Sequence, residues 1–149
     1  MKKSIRTKKI ASTSEPPKTR IRVAAIIIQN NKLLMVKSDK FKELWTPGGK
    51  LEPGESDIAC LTRELKEEID VKLVSAKFFK EYTCPSPYFP NTITTNRIYL
   101  ATISGVPTPG HEIHQVIWLS RDDIQNKKYP TIKIYEDEMF PDLIKAKIL

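Results

Sequence analysis

The stretch that decides the fold is WTPGGKLEPGESDIACLTRELKEEIDV, residues 45–71. Its second half has the spacing of a helix. Ser56 is a good N-cap, and Asp57 follows in the first turn, where the helix dipole favours an anion. Ile58, Leu61, Leu65 and Ile69 recur at helical spacing and predict one apolar stripe that docks on a core. At about 100° per residue, Glu64, Glu67 and Glu68 fall together on the neighbouring stripe. One face is expected to dock while the adjacent face gathers three carboxylates.

Gathering like charges at this spacing costs a helix about 0.2–0.5 kcal/mol per pair. A solvated acidic face is the plain reading of such a cluster. A hard divalent cation offers another, because Mg²⁺ seeks oxygen ligands while keeping several waters, and a pair of such ions serves phosphate-bearing substrates. The preceding loop favours the second reading. Gly48 and Gly49 let backbone atoms approach a metal or a phosphate without side-chain obstruction.

With Gly49, Glu55, Arg63, Glu64, Leu65, Glu67, Glu68 and Val71 in place, the stretch resembles the signature of the Nudix hydrolases. One position departs: the family's final Gly is Asp70 here. That Gly ends the helix in a left-handed conformation, which Asp tolerates better than most residues. The departure therefore touches helix termination and leaves the chemistry alone. The resemblance implies an α+β fold, an α/β/α sandwich around a mixed β-sheet over residues 20–149. It also implies Mg²⁺, with Mn²⁺ as the alternative ion, held by Glu64, Glu67, Glu68 and the carbonyl of Gly49. Arg63 is expected to pair with Glu55 and keep these ligands in place. Glu112, six residues before Trp118, fits the place of a further acidic residue of the family, as metal ligand or as base. The base stays open among Glu64, Glu68 and Glu112.

Composition bounds the rest. A chain of 149 residues with 40% hydrophobic content suits one domain with one core. The net charge of +7 is not spread evenly: residues 1–22 hold eight Lys or Arg against one Glu, and the remainder carries 17 of each sign. Residues 1–19 therefore read as a basic, disordered tail. It serves either as a solubilising leader or as an RNA-binding arm, although it lacks the aromatic residues used for base stacking. No apolar run reaches membrane-spanning length and no signal-peptide core follows the first lysines. Cys60 and Cys84 match no zinc or redox spacing, as expected of a reducing, cytoplasmic setting. His111 and His114 have no cysteine or third histidine to complete a zinc site.

Taken in order, Ile21–Ile28 predicts a strand buried on both faces. Asn30-Asn31 predicts a two-residue hairpin turn into residues 32–37. Residues 72–83 and 92–104 predict long strands, with a proline-rich loop over residues 84–91 between them. A short strand follows at residues 116–120. Two helical pieces close the chain, interrupted or restarted at Pro141. Lys37 and Lys40 serve equally as phosphate contacts or as edge-strand lysines. Trp45 packs the motif loop or stacks on a base. Gln125 and Asn126, in the polar connection after Trp118, either cap a short helix or read a base edge with their amides.

The resemblance implies hydrolysis of a pyrophosphate bond in a nucleoside diphosphate linked to another group. The opening around Trp45 looks most like MutT-like members, which convert nucleoside triphosphates to monophosphates. Dinucleoside polyphosphates, nucleotide sugars and 5′-end RNA are the other substrate classes. A non-catalytic nucleotide-binding module is the reading from a different class.

Overall fold

The computed structural model describes residues 15–149. Residues 1–14, most of the expected basic tail, lie outside them. Strand β1 (Lys18–Ile26) starts two residues before the expected Arg20. Strand β2 (Ile28–Gln29) continues it, and β3 (Lys32–Ser38) returns antiparallel. Asn30 and Asn31 take φ of 52° and 59°, the pair of left-handed residues a tight hairpin requires. Strand β4 (Gly48–Lys50) leads through a loop to helix α1 (Asp57–Ile69). Then come β5 (Lys72–Pro85), β6 (Thr92–Ser104), β7 (Ile113–Ser120) and the short α2 (Arg121–Gln125). A π-helical turn (Tyr135–Met139) runs into α3 (Phe140–Lys145).

The strands form two sheets, β4-β1-β6-β5 and β2-β3-β7. The first is mixed, because β1 runs parallel to β6 while its other pairs are antiparallel. The chain passes from one sheet to the other at Ile27, whose carbonyl accepts from the Leu34 amide at 3.0 Å. Side chains alternate cleanly across these strands. Val23, Ala25, Ile27, Leu34 and Val36 pack with α1 on one side. Ala24, Ile26, Leu33 and Met35 pack with Tyr135, Met139, Phe140 and Leu143 on the other. The result is the α/β/α sandwich.

Two elements differ from expectation, and at Pro141 one of the two expected alternatives, a second helix, is found. Ile58 belongs to the α1 stripe by angle but is 46% exposed, and Cys60 fills the core there instead. The first turn is anchored elsewhere, with Asp57 accepting from Arg97 at 2.8 Å and Tyr99 at 2.6 Å on β6. Strand β5 also runs on through Cys84 and Pro85. A proline is tolerated because β5 is an edge strand, with β6 on one side only. Pro141 begins α3, where its missing N–H costs little, and the turn before it loosens to π geometry. Among the described residues no helix is long and apolar enough to cross a membrane.

Candidate active site

Helix α1 is stopped and started by its own sequence. The Ser56 side chain accepts from the Ala59 amide at 3.1 Å, and Asp70 closes the helix in the left-handed region at φ 54°. The loop after β6 then docks on its C-terminal end. Thr108 and Gly110 donate their amides to the carbonyls of Ile69 and Glu68, both at 2.9 Å. These bonds satisfy helix carbonyls that have no intrahelical partner, and they carry Glu112 to the rim of the site.

Three carboxylates from one helix face meet three different environments. Glu68 is 5% exposed, and its Oε1 accepts from the Gly48 amide at 2.8 Å. Burial pushes its carboxyl up to about 8, opposed by Arg22 and the Gly48 amide and helped by Glu64 and Glu112. Glu64 is also shifted upward, mainly by burial and partly by Glu67, against the pull of Arg63. Its carboxylate occupies the space a side chain on Gly49 would need. Glu67 faces outward, with its side chain 40% exposed and Oε1 3.4 Å from Arg63.

Arg63 is the hub of this cluster. Its Nε and Nη2 grip Glu55 at 2.8 and 2.9 Å, the bidentate geometry that suits a guanidinium and a carboxylate. Nη1 reaches Glu64 at 3.3 Å, and Nη2 also donates to the Lys50 carbonyl at 3.3 Å. The pair holds Glu55 down at about 2. Arg63 does not line the cavity described next.

Between β4 and the loop after β5 lies a cavity of about 320 Å³. Gly49, Glu64, Glu68, Glu112 and Trp45, all singled out from the sequence, line it. Lys37, Gln125 and Asn126 do not. The Lys37 Nζ donates to the carbonyls of Ser38 and Phe41, both at 3.2 Å, and pins its own loop. The segment after Trp118 is turned away by a capping box, in which Ser120 and Asp123 satisfy each other's amides, and Asn126 closes α2. Gln125 is the last residue of that helix.

Sequence reasoning missed the floor of this cavity. Arg20 and Arg22 project from β1 beside Thr94 and Asn96 of β6, and all four line it. The alternation Arg20-Ile21-Arg22-Val23 marks a polar face on an otherwise apolar strand. Read that way, the two arginines would have been found, though not their β6 neighbours. The walls are aromatic: Phe41 stacks on Tyr88 at 4.0 Å, and Tyr88 donates to Glu43 at 3.1 Å. Arg22 itself donates to the carbonyl and hydroxyl of Thr46 and to Tyr135.

The donor set suits a hard cation held through water. Among the described residues no three acidic, histidine or cysteine groups converge tightly enough to enclose a metal alone. Mg²⁺ does not require that, since it binds through one or two carboxylates and leaves positions for substrate oxygens. Glu64 and Glu68 are the carboxylates available for this, and burial, with the acidic neighbours, makes each hold its proton more tightly. That unfavourable charge is what a divalent cation relieves.

Comparison with known proteins agrees with this geometry. The family model described as NUDIX domain matches residues 18–143. The 8-oxo-dGTP diphosphatase of Buchnera aphidicola is 40% identical over 62 residues, covering 39% of this chain and 48% of that protein. The mRNA-decapping enzyme subunit 2 of Saccharomyces cerevisiae is 30% identical over 124 residues, covering 77% of this chain and 12% of that protein. The chain thus spans about half of one curated relative and a small part of the other. The MutT protein of Methanosarcina mazei Go1 superposes with a TM-score of 0.76 at 18% identity, covering 90% of this chain and 99% of that one. Identity that low shows the fold alone.

Proposed function

The chain belongs to the NUDIX family, and from that premise we propose that it hydrolyses the pyrophosphate bond of a nucleoside diphosphate linked to another group, most simply a nucleoside triphosphate to its monophosphate and pyrophosphate. The observation that carries this reading is one cavity lined by Glu64 and Glu68 together with Arg20, Arg22 and an aromatic wall. Such a cavity has acidic groups for a metal-bound diphosphate and flat apolar walls for a base. A cytoplasmic location fits the same reading.

The roles divide by environment. Glu64 and Glu68, with the Gly49 carbonyl, would hold the ion, and Glu67 stands beside them, shared with Arg63. Bound there, Mg²⁺ or Mn²⁺ would neutralise the diphosphate and make it a better electrophile. Glu112 is assigned as the base. It lines the cavity and is exposed, and among the described residues it is engaged by no hydrogen bond or ion pair. Its carboxylate takes the proton from the attacking water. Arg63 acts at one remove, fixing Glu64 and the loop through Glu55.

A second reading rests on the match to the yeast decapping subunit over 124 residues. Here the substrate is the 5′ end of an RNA, and the basic residues 1–19 hold its backbone. One panel tests both: nucleoside triphosphates, dinucleoside polyphosphates, nucleotide sugars and 5′-capped RNA, assayed with Mg²⁺ for release of phosphate, pyrophosphate or a nucleotide. Turnover that collapses in E68Q is expected. No turnover of any class, or equal turnover in E68Q, overturns the enzyme reading in favour of a binding module. Deleting residues 1–19 must flatten the salt dependence of RNA affinity if the tail is an RNA arm.

A further inference from the structure

Among the described residues Arg20 has no carboxylate within ion-pair distance, and Glu64 acts on it from further away. Its Nε is the one buried side-chain polar atom among those residues with no hydrogen-bond partner. A buried donor left unsatisfied costs free energy, and a native structure tolerates few of them. The side chain is not loose. Its guanidinium lies over the Phe89 ring, 4.5 Å from the centroid, with its edge on the cavity. Burial first, and then the neighbouring Arg22, lower its pKa, while Glu64 acts the other way. Arg22 is occupied by Thr46 and Tyr135, leaving Arg20 as the donor in reserve.

The register places Arg20 within the site. Arg22 lies beside Lys50 of β4, the strand carrying Gly49, and Arg20 is two residues further along β1, beside Thr94. Two residues of strand are roughly 6.6 Å, so Arg20 lies further along the floor from Gly49 than Arg22 does, in the row of Thr94 and Cys84. Asn96, 5% exposed and bonded to the Tyr82 carbonyl at 3.4 Å, shares that floor. A group bound there meets donors from Arg20 and an aromatic surface beside it.

We propose that Arg20 is a specificity-determining residue that donates to an acceptor-only group at the end of the substrate away from the scissile pyrophosphate. That group is the carbonyl edge of a base or a non-scissile phosphate. An arginine offers donors and no acceptor, so an exocyclic amino group placed against it is rejected. This deepens the reading of the cavity as a nucleotide site and rests on it.

Binding of nucleoside 5′-monophosphates, with and without a 3′-phosphate, tests the proposal by calorimetry, independently of turnover. The wild-type chain is expected to rank keto bases or 3′-phosphorylated ligands above the others by roughly 5- to 150-fold. R20Q should level that ranking. R20K separates the two sources: a point charge retains a preference for phosphate but loses a preference for a planar base edge. A uniform loss across all ligands in R20Q, or an unchanged ranking, overturns the proposal. Should R20Q fail to fold, F89A removes the platform from an exposed position and must also weaken the ranking. A chain that ranks ligands as expected but hydrolyses none of the panel overturns the enzyme reading and leaves this one standing.

Discussion

The carboxylate of Glu64 rests against Gly49, in the space where any other residue would place its Cβ. The contact joins the motif loop to the motif helix across fifteen residues of sequence. It explains why a glycine is needed here on grounds of space alone. G49A is therefore expected to push Glu64 out of the cavity. Overpacking of this kind costs about 1–3 kcal/mol, which a thermal melt reads. Turnover should fall by about two orders of magnitude, because a misplaced ligand costs far more in rate than in stability. A variant with normal turnover would show that Glu64 is not positioned by this contact.

Glu68 makes the metal-free protein sensitive to pH. Its carboxyl titrates near 8 in the fold against 4.5 ordinarily, so the protonated form is the one the fold prefers. Its stabilising contribution is complete below pH 4.5 and is lost as pH rises toward 8. Chelated protein should lose stability across that window with a slope of up to about 1.4 kcal/mol per pH unit. Adding Mg²⁺ should restore stability most at the alkaline end, and E68Q should abolish both effects. Denaturant melts at three pH values, with chelator and with Mg²⁺, measure this. A flat pH profile in chelated wild type would contradict it.

How much of this was legible depended on how local the interaction is. Gly49, Glu64 and Glu68 were readable because one loop and one helix set their relation. Helix periodicity puts the two carboxylates on one face without reference to the rest of the chain. Arg20, Thr94 and Asn96 meet through the parallel pairing of β1 with β6, more than 70 residues apart, and no local pattern announces that register. Gln125 and Asn126 lie outside the cavity for the opposite reason. Their chemistry suits a base edge, but Ser120 and Asp123 close a capping box that turns the segment into a short helix. Ile58 shows the limit of periodicity, since the angle was right and the first turn was held elsewhere.

Asp70 stands where the family signature has Gly, and it adopts the left-handed conformation that Gly favours. A non-Gly residue there costs about 1 kcal/mol, somewhat less for Asp. Its ion pair with Lys66, at 2.6 Å, is exposed on both sides and contributes little. D70G should therefore stabilise the fold by a few tenths of a kcal/mol to about 1 kcal/mol, with turnover unchanged. Denaturant midpoints compare the two. A loss of stability would mean that the Lys66 pair outweighs the backbone strain.

Arg63 offers the sharpest division between positioning and contact. Its fork holds Glu55 through two bonds, and its other nitrogen reaches Glu64 and Glu67 at 3.3 and 3.4 Å. Lysine keeps one charge but cannot reproduce that geometry. R63K should lower kcat by about 10- to 100-fold, the usual cost of disturbing a residue that supports metal ligands. Half-saturation by Mg²⁺ should move to higher concentration while KM for the nucleotide changes little. E55Q, at the other end of the pair, should give the same pattern, and R63K with E55Q should cost far less than the two losses combined. A direct substrate contact predicts otherwise: KM would rise in R63K, E55Q would be nearly silent, and the two effects would add.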